Sequence, residues 1–502
     1  MSRSFTGCKR CKSRRQKCDE SKPVCGRCKA ARVPCRYAME LQWGGRTFSR
    51  SRFGACMGDG GMQKLEYSPG EFIYTLPNST SPSEHLMQTQ SATLTLAQPV
   101  GPFTWLSSEQ RALLHHFATY ASKITSCHSG MQREICSMLI PMALQTPSLL
   151  YATAALSAIH LQALNNRSES AKSAPDIARL MASSLEHLRK ELQDASANNS
   201  DAILATARTL CLAEIHSGAI QPNSWRAHIE GAKALMVATD DSSRSSESFR
   251  RYLRRWYRSI VSLTALTANG PPIGDSEDSM LAKSSGEDYL DDYWGFTLGL
   301  SDIFRGIGAV AWRRQQILIN HGQENSHETK EELHVQQQAM MLEASLRRLM
   351  GHNAASQPKF YPGVAEKLSG ECIREFVLCN EAFQHSALIQ IRRRLRRIPT
   401  TAPAVQRSVQ RILECICQIT PSAGLSPWAM LTTPLFIAGC EAQGADRDTV
   451  KRLLLLLHDT IRVPNVLQSL KFLEQYWIER SRMNEADWNH YLDRLQVDFI
   501  PY

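Results

Sequence analysis

The feature that most constrains this chain is a set of six cysteines near its N-terminus, spaced C-x2-C-x6-C-x6-C-x2-C-x6-C. This spacing is the half-motif C-x2-C-x6-C written twice. The six residues are Cys8, Cys11, Cys18, Cys25, Cys28 and Cys35. The chain has 15 cysteines in all, and the others are scattered over the remaining sequence. Such a dense and regular pattern indicates a framework that ties a small domain together.

Three frameworks are open: disulfides, separate zinc sites, or one shared zinc cluster. Disulfides need an oxidising compartment, and residues 1–7 contain no apolar core of a secretory signal peptide. No stretch is long and apolar enough to cross a membrane. Zn²⁺ prefers four tetrahedral ligands, so six cysteines fill one site with two residues over, or fill two sites by sharing two thiolates. Sharing of two thiolates explains why each half has three cysteines rather than four. A domain this small also needs the metal in order to fold.

A basic run lies between the second and third cysteines, and its cationic residues are Lys12, Arg14, Arg15 and Lys17. Residues 1–53 carry 15 lysines and arginines against three acidic residues, whereas the rest of the chain carries 43 against 45. Positive charge concentrated on a small domain favours binding to nucleic-acid phosphates. Basic runs are often only solvated surfaces or nuclear-import signals. Because the zinc scaffold would fix this run on a short helix, we expect DNA contact, with nuclear import as a compatible second role.

Residues 5–43 resemble the DNA-binding domain of the fungal binuclear zinc cluster (Zn2Cys6) transcription factors. The resemblance implies that all six cysteines bind two zinc ions. Cys8 and Cys25 would bridge the two ions, Cys11 and Cys18 would complete one site, and Cys28 and Cys35 would complete the other.

The same resemblance implies that the basic helix enters the major groove of double-stranded DNA, over a CGG-like triplet. Arg14 and Arg15 would contact bases, and Lys12 and Lys17 would lie nearer the phosphates. The family often has lysine in the place of Arg15. Arginine can bond guanine through two atoms at once, so recognition of guanine is expected to survive this difference.

Residues 44–102 are predicted to be a disordered linker, since they are rich in Gly, Ser, Thr and Pro and show no helical periodicity. Many members of the family dimerise through a coiled coil just after the cluster. Here a sustained heptad is absent, and Pro69, Pro77 and Pro82 interrupt the segment. Any homodimer contact is therefore expected in the domain that follows.

The predicted fold class is all-α: a small zinc-stapled N-terminal module, the disordered linker, and a large all-helical regulatory domain over residues 103–502. Apolar residues recur there at spacings of three and four, as Leu113, Phe117 and Tyr120 do on one helix face. Ser107 is a predicted N-cap, and Pro399 follows a predicted helix end. The predicted helical segments continue over 148–165, 174–195, 200–217, 225–239, 246–268, 287–319, 328–351, 371–398, 402–419, 428–442, 446–461 and 464–480.

Two segments of the helical region resemble the fungal-specific transcription factor domain. Residues 225–236, WRAHIEGAKALM, are similar to its W-x2-H-[IL]-x-G-A-x2-L-[IM] segment, and residues 434–442, PLFIAGCEA, to its P-L-F-I-A-G-x-E-A segment. In the first, Trp225, Ile229, Ala232 and Met236 fall on one helix face, and Gly231 is expected to let another helix approach closely. The resemblance implies a regulatory domain, with a small-molecule effector as a candidate partner.

The sequence signals for other kinds of site are weak. His327 and Glu328 would begin a zinc-protease motif, but residue 331 is glutamate. Cys415 and Cys417 would point about 200° apart on a helix, so they are not a metal pair. His228 is expected to be a hydrogen-bonded packing residue rather than a ligand. The arginine-rich run 392–397 is either an import signal or, more in keeping with its place, a solvated helix end.

The sequence therefore predicts a nuclear, zinc-dependent, sequence-specific transcription factor that regulates RNA polymerase II genes, of metabolic or secondary-metabolite type. It is not predicted to be an enzyme, since no nucleophile–base constellation is present. The alternative hypothesis is a zinc-cluster corepressor or scaffold with weak, non-specific DNA binding. No membrane partner is expected.

Overall fold

The computed structural model describes residues 8–35 apart from 9, 12, 13, 15 and 22, and then 103, 105–165, 175–193, 200–218, 224–239, 247–267, 271, 273, 288–320, 328–482 and 500–502. The predicted linker, residues 44–102, lies outside the described residues. Internal contacts divide the chain into two units, Met1–Leu96 and Ala97–Tyr502. The first unit contains the short helix α1, Gly26–Ala30.

The described part of the second unit is built from helices, and an isolated bridge between Leu290 and Thr297 is its only β-type pairing. The helices are α2 (Ser108–His116), α3 (Ser129–Gln145), α4 (Pro147–Asn165), α5 (Ile177–Gln193), α6 (Ser200–Ser217), α7 (Ser224–Thr239), α8 (Glu247–Thr267), α9 (Leu298–Asn320), α10 (Glu328–Ala355), α11 (Gly370–Gln390), α12 (Pro403–Cys417), α13 (Thr432–Glu441), α14 (Ala445–Ile461) and α15 (Pro464–Arg482). The predicted all-α class is confirmed.

Packing follows the order of the chain. The closest helix pairs are neighbours in sequence or nearly so, such as α4 with α5, α8 with α9 and α11 with α12, and α15 returns to α6. Most buried apolar residues of this unit belong to one continuous core. Within the described residues, no helix combines the length and the apolar character that a membrane span requires.

The start of α2 shows how local sequence sets a helix boundary. The Ser107 hydroxyl accepts a hydrogen bond from the Gln110 backbone at 3.1 Å, and the Gln110 side chain accepts one from the Ser107 backbone at 2.9 Å. This capping box confirms the predicted N-cap. Leu113 and Phe117 are buried as predicted, but Tyr120 is exposed because the chain continues as a π-helical turn, Phe117–Ala121, which rotates it off the buried face.

Helix α3 is absent from the predicted segments. Pro141 lies inside it and resembles a helix breaker in sequence. The helix nevertheless forms, because Met131, Ile135 and Leu139 recur every four residues and are buried, and because the His128 ring accepts a hydrogen bond from the Met131 backbone at 3.2 Å. The apolar spacing was the signal that could have found it.

The predicted helix over 287–319 is wrong in its first part, since α9 begins only at Leu298. Asp291 accepts a hydrogen bond from the Tyr293 backbone at 2.8 Å, and Gly295 has a positive φ of 73°. An Asp-led turn of this kind competes with helix formation. The irregular segment brings Asp291 and Asp292 to the Arg255 guanidinium on α8.

The arginine-rich run 392–397 is neither a solvated helix end nor an open basic patch. The helix does end before Pro399, through a π-helical turn, Ile391–Leu395. Arg392 is buried and lies 3.2 Å from the Glu343 carboxylate, and Arg394 donates to the Leu266 carbonyl at 2.9 Å. Arg397 is exposed. The solvated-end interpretation is wrong because long-range partners draw Arg392 and Arg394 inward. The import signal stays a prediction.

Glu441, at the end of α13, connects this run to the PLFIAGCEA segment. Its side chain is fully buried, its carboxylate lies 2.9 Å from the Arg393 Nε atom, and it accepts a short hydrogen bond from Thr400. Burial raises the pKa of Glu441, and Arg393 opposes that rise. A carboxylate in this position depends on its cationic partner and its hydrogen bonds to offset the cost of burial.

We expect Glu441→Ala to destabilise the helical unit by about 3–5 kcal/mol, because Arg393 would be left buried without its counter-charge. Urea unfolding followed by circular dichroism measures the loss. Glu371→Ala is the matched control: it removes a pair with Arg374 whose side chains are 64% and 66% exposed, so it should cost about 1 kcal/mol or less. Equal losses for the two variants would contradict the assigned role of Glu441.

Candidate zinc centre and nucleic-acid interface

The two halves of the N-terminal module share a pattern of backbone hydrogen bonds. Arg14 N–H donates to the Arg10 carbonyl at 3.1 Å, and seventeen residues on, Ala31 N–H donates to the Arg27 carbonyl at 3.2 Å. A second bond repeats in the same way. Gln16 N–H donates to the Cys11 carbonyl at 2.9 Å, and Val33 N–H donates to the Cys28 carbonyl at 3.2 Å. The repeated cysteine spacing therefore reflects a repeated helical turn.

In each half, the backbone N–H of the first cysteine contacts the sulfur atom of the third cysteine. Cys8 N–H points at the Cys18 Sγ at 3.5 Å, and Cys25 N–H points at the Cys35 Sγ at 3.4 Å. Cys25 also caps α1, since its sulfur accepts from the Cys28 backbone at 3.4 Å. These N–H groups orient the sulfur atoms and favour their anionic form.

The six sulfur atoms converge in two groups of four. One group is Cys8, Cys11, Cys18 and Cys25, and the other is Cys8, Cys25, Cys28 and Cys35. All ligand atoms within a group lie within 4.8 Å of one another. The groups share Cys8 and Cys25, the two residues that the family resemblance assigns as bridges.

The sulfur separations fit zinc. The Sγ atom of Cys8 lies 3.7 Å from that of Cys25 and 3.7 Å from that of Cys28, and Cys11 lies 3.8 Å from Cys25. A tetrahedron with metal–sulfur bonds of about 2.3 Å has edges of about 3.8 Å. The same separations are far beyond a disulfide bond of about 2 Å. The described cysteines are all free thiols, so the disulfide alternative receives no support.

Backbone hydrogen bonds lower the pKa values of the two shared cysteines. The hydrogen bond from the Cys11 backbone lowers the pKa of Cys8, and the bond from the Cys28 backbone lowers the pKa of Cys25. A thiolate is the form that binds a metal. Arg10 adds positive charge, with its Nη1 atom 3.9 Å from the Cys28 Sγ.

The connection between the halves is held by Asp19. Its carboxylate accepts a hydrogen bond from Gly26 N–H at 2.8 Å, and this bond lowers the pKa of Asp19. A Cβ atom at residue 26 would lie 2.6 Å from the Asp19 Oδ2 atom. Glycine at 26 therefore lets the carboxylate reach the first turn of α1.

The predicted DNA-contact residues are only partly described. Arg14 and Lys17 are exposed, whereas Lys12 and Arg15 lie outside the described residues. Three further cations of the second half, Arg27, Lys29 and Arg32, are also exposed and were missed by the sequence reasoning. The internal repeat could have found two of them, since Lys29 and Arg32 correspond to Lys12 and Arg15.

The described residues of the WRAHIEGAKALM segment pack within the helical unit. Trp225, Ile229, Ala232 and Met236 are all buried along α7, as predicted. His228 bonds the Glu214 carboxylate at 3.1 Å, which confirms its packing role.

The expectation for Gly231 is wrong, because a Cβ there would meet nothing within 4 Å. The close approach occurs instead at Gly439 in the other segment, where a Cβ would lie 2.5 Å from Leu473. Cys415 is buried and Cys417 is exposed, so they face apart as predicted.

A cysteine cluster suited to two zinc ions, followed by a large unit built from helices, defines the class of protein. The profile described as "Fungal specific transcription factor domain" matches residues 112–501, and the one described as "Fungal Zn(2)-Cys(6) binuclear cluster domain" matches residues 6–44. The chain therefore belongs to the fungal transcription factor family that carries these domains. The cluster domain of this family binds two zinc ions.

A relative is the Zn(2)-C6 fungal-type transcription factor afumD of Aspergillus fumigatus, which is 29% identical over 165 residues. The aligned stretch covers 32% of this chain and 34% of that protein. The chain thus matches about a third of the relative's length. No solved structure matches this chain.

The buried residues of the N-terminal module explain its dependence on metal. Among its described residues, the core cluster consists of five buried cysteines, with Val33 and Cys35 packed against them. A fragment of residues 1–55 should therefore show helical circular dichroism with zinc and lose it with EDTA, since each structural zinc contributes about 10 kcal/mol or more to folding. Residues 103–502 should be unaffected by the chelator. A spectrum of the short fragment that EDTA leaves unchanged would contradict the metal-scaffold account.

Proposed function

We propose that this protein is a nuclear, zinc-dependent regulator of transcription that binds double-stranded DNA in a sequence-specific manner. The observation that carries the proposal is the convergence of six cysteine thiols into two groups that share two members, beside exposed basic residues. Membership of the fungal transcription factor family supports the same conclusion.

The six thiolates would hold two zinc ions, with Cys8 and Cys25 bridging. Cys11 and Cys18 would complete the first site, and Cys28 and Cys35 the second. The metal supplies folding free energy and rigidity, and no reaction. The Cys8 and Cys25 backbone bonds to the third cysteine of each half would orient the ligands in the folded, metal-bound module.

The basic turn after Cys11 would enter the major groove. Arg14 and Arg15 would contact base edges, because a guanidinium matches the O6 and N7 acceptors of guanine, and a CGG-like triplet is the expected site. Lys12 and Lys17 would contact phosphates, which fixes the orientation of the module without reading sequence. The exposed cations Arg27, Lys29 and Arg32 would add to the phosphate-binding charge.

The helical unit would control the output of the bound factor. The genes would be RNA polymerase II genes of metabolic or secondary-metabolite type, and homodimer contacts would lie in this unit. A small-molecule effector bound there would couple metabolite level to transcription, since a ligand shifts a conformational equilibrium by its differential affinity for the two states.

Arg14→Ala should weaken binding to the site enriched by in-vitro selection by about 1–3 kcal/mol and relax base preference, because a base contact is lost. Lys17→Ala is the matched control, since both side chains are exposed. It should weaken cognate and random DNA alike and reduce the salt slope by about one. Fluorescence anisotropy on the two DNAs measures both effects.

Equal losses of affinity for cognate and random DNA in Arg14→Ala would indicate that Arg14 contacts phosphates rather than bases. A selection that enriches no site would favour the corepressor or scaffold alternative.

A further inference from the structure

A cavity in the helical unit is lined by arginines from one face of α8. Arg251, Arg254, Arg255 and Arg258 follow helical spacing along that face, and Arg305 of α9 also lines the cavity. The lining includes one carboxylate, that of Asp291. Guanidinium groups gathered in one cavity repel one another, so the arrangement favours an anionic occupant.

The cavity also has apolar walls. Met236 of α7, Val261 of α8 and Leu298 of α9 line it together with the ring of Tyr361. Its volume is about 140 Å³, close to that of a cavity that holds a single benzene ring. An occupant would therefore be a small organic molecule rather than a peptide or nucleic acid.

Arg255 is held rigidly by the protein itself. It donates to Asp291 at 2.9 and 2.8 Å, makes a short hydrogen bond to Asp292, and lies over the Tyr293 and Tyr361 rings at 4.1 and 4.2 Å. Its hydrogen-bonding capacity is largely used within the fold. Arg255 therefore orients Tyr361 as a wall of the cavity and is not the principal anion contact.

Arg258 and Arg305 are placed differently. They share a single carboxylate oxygen, Asp302 Oδ1, at 2.8 and 2.6 Å. The Nε atom of each is buried and has no hydrogen-bond partner. A buried N–H group without an acceptor is destabilising, and more so when it is charged. Two such donors from neighbouring arginines that both line one cavity indicate that an acceptor group belongs beside them.

We propose that this cavity binds a small organic anion with two negative charges, its acid groups on Arg258 and Arg305 and its apolar part against Met236, Val261 and Leu298. Arginine's planar fork matches both carboxylate and phosphate oxygens, so dicarboxylates and phosphate monoesters share the required chemistry. The bound anion would contact α7, α8 and α9 at once, and α7 carries the WRAHIEGAKALM segment. The inference rests on the proposed regulatory role of the helical unit.

Isothermal titration of the zinc-loaded full-length chain tests the proposal with four probes of similar size. Phthalate and phenyl phosphate carry two acid charges, benzoate carries one, and phthalamide carries none. We expect at least one of the first two to bind at least about tenfold more tightly than benzoate, and phthalamide not to bind. The preferred dianion identifies the acid as carboxylate or phosphate. Failure of both dianions to bind at millimolar concentration would overturn the proposal.

The double variant R258Q/R305Q should lose at least about tenfold in affinity for the preferred dianion. R374Q, a change in an exposed surface pair, should leave the affinity unchanged. Thermal unfolding checks that each variant is folded, and R305Q alone, whose side chain is 32% exposed, provides a milder change. Unchanged affinity in folded R258Q/R305Q or R305Q would place the anion elsewhere.

DNA binding is measured in parallel on the same chain. Loss of dianion binding with DNA binding retained would contradict only the cavity, and the reverse result would contradict only the DNA-binding function.

Discussion

The N-terminal module depends on one interaction, the sharing of the Cys8 and Cys25 sulfur atoms between two groups of thiolates. Their Sγ atoms lie 3.7 Å apart, and every other ligand completes a group that contains both. Because the part of the core that the structure describes in the module consists of cysteines, no apolar cluster among those residues replaces this interaction. The DNA contacts proposed for the basic turn would therefore depend on metal binding, because the cluster would fix the turn in place.

The helical unit obtains its stability in another way. It has a continuous apolar core, and buried ion pairs connect segments distant in sequence, as Glu441 does with Arg393 and Asp291 with Arg255. Buried pairs are costly to break and specify one arrangement of the helices. The arginine cavity lies beside one such pair. An anion bound there would contact three helices, which gives the regulatory unit a physical means of responding to a ligand.

The sequence predicted best what short-range spacing encodes. The grouping of the six cysteines, the Ser107 cap and most helices follow from residues a few positions apart. It failed where distant partners decide the outcome. Arg392 is buried together with its partner Glu343, which is 49 residues away. Helix α9 begins later than predicted because the preceding turn places its carboxylates against Arg255. The sequence analysis did not single out the arginines of α8, because nothing local reveals that Arg305 of α9 and Tyr361 line the same cavity.

The number of zinc ions retained by the native chain tests the central claim most directly. Native mass spectrometry of the full-length protein, purified under reducing conditions, should show two zinc ions per chain and no disulfide. Loss of both ions on acidification should add back the protons of the thiolates. A chain that carries one ion or none, or that shows disulfide bonds among the first six cysteines, would contradict the account.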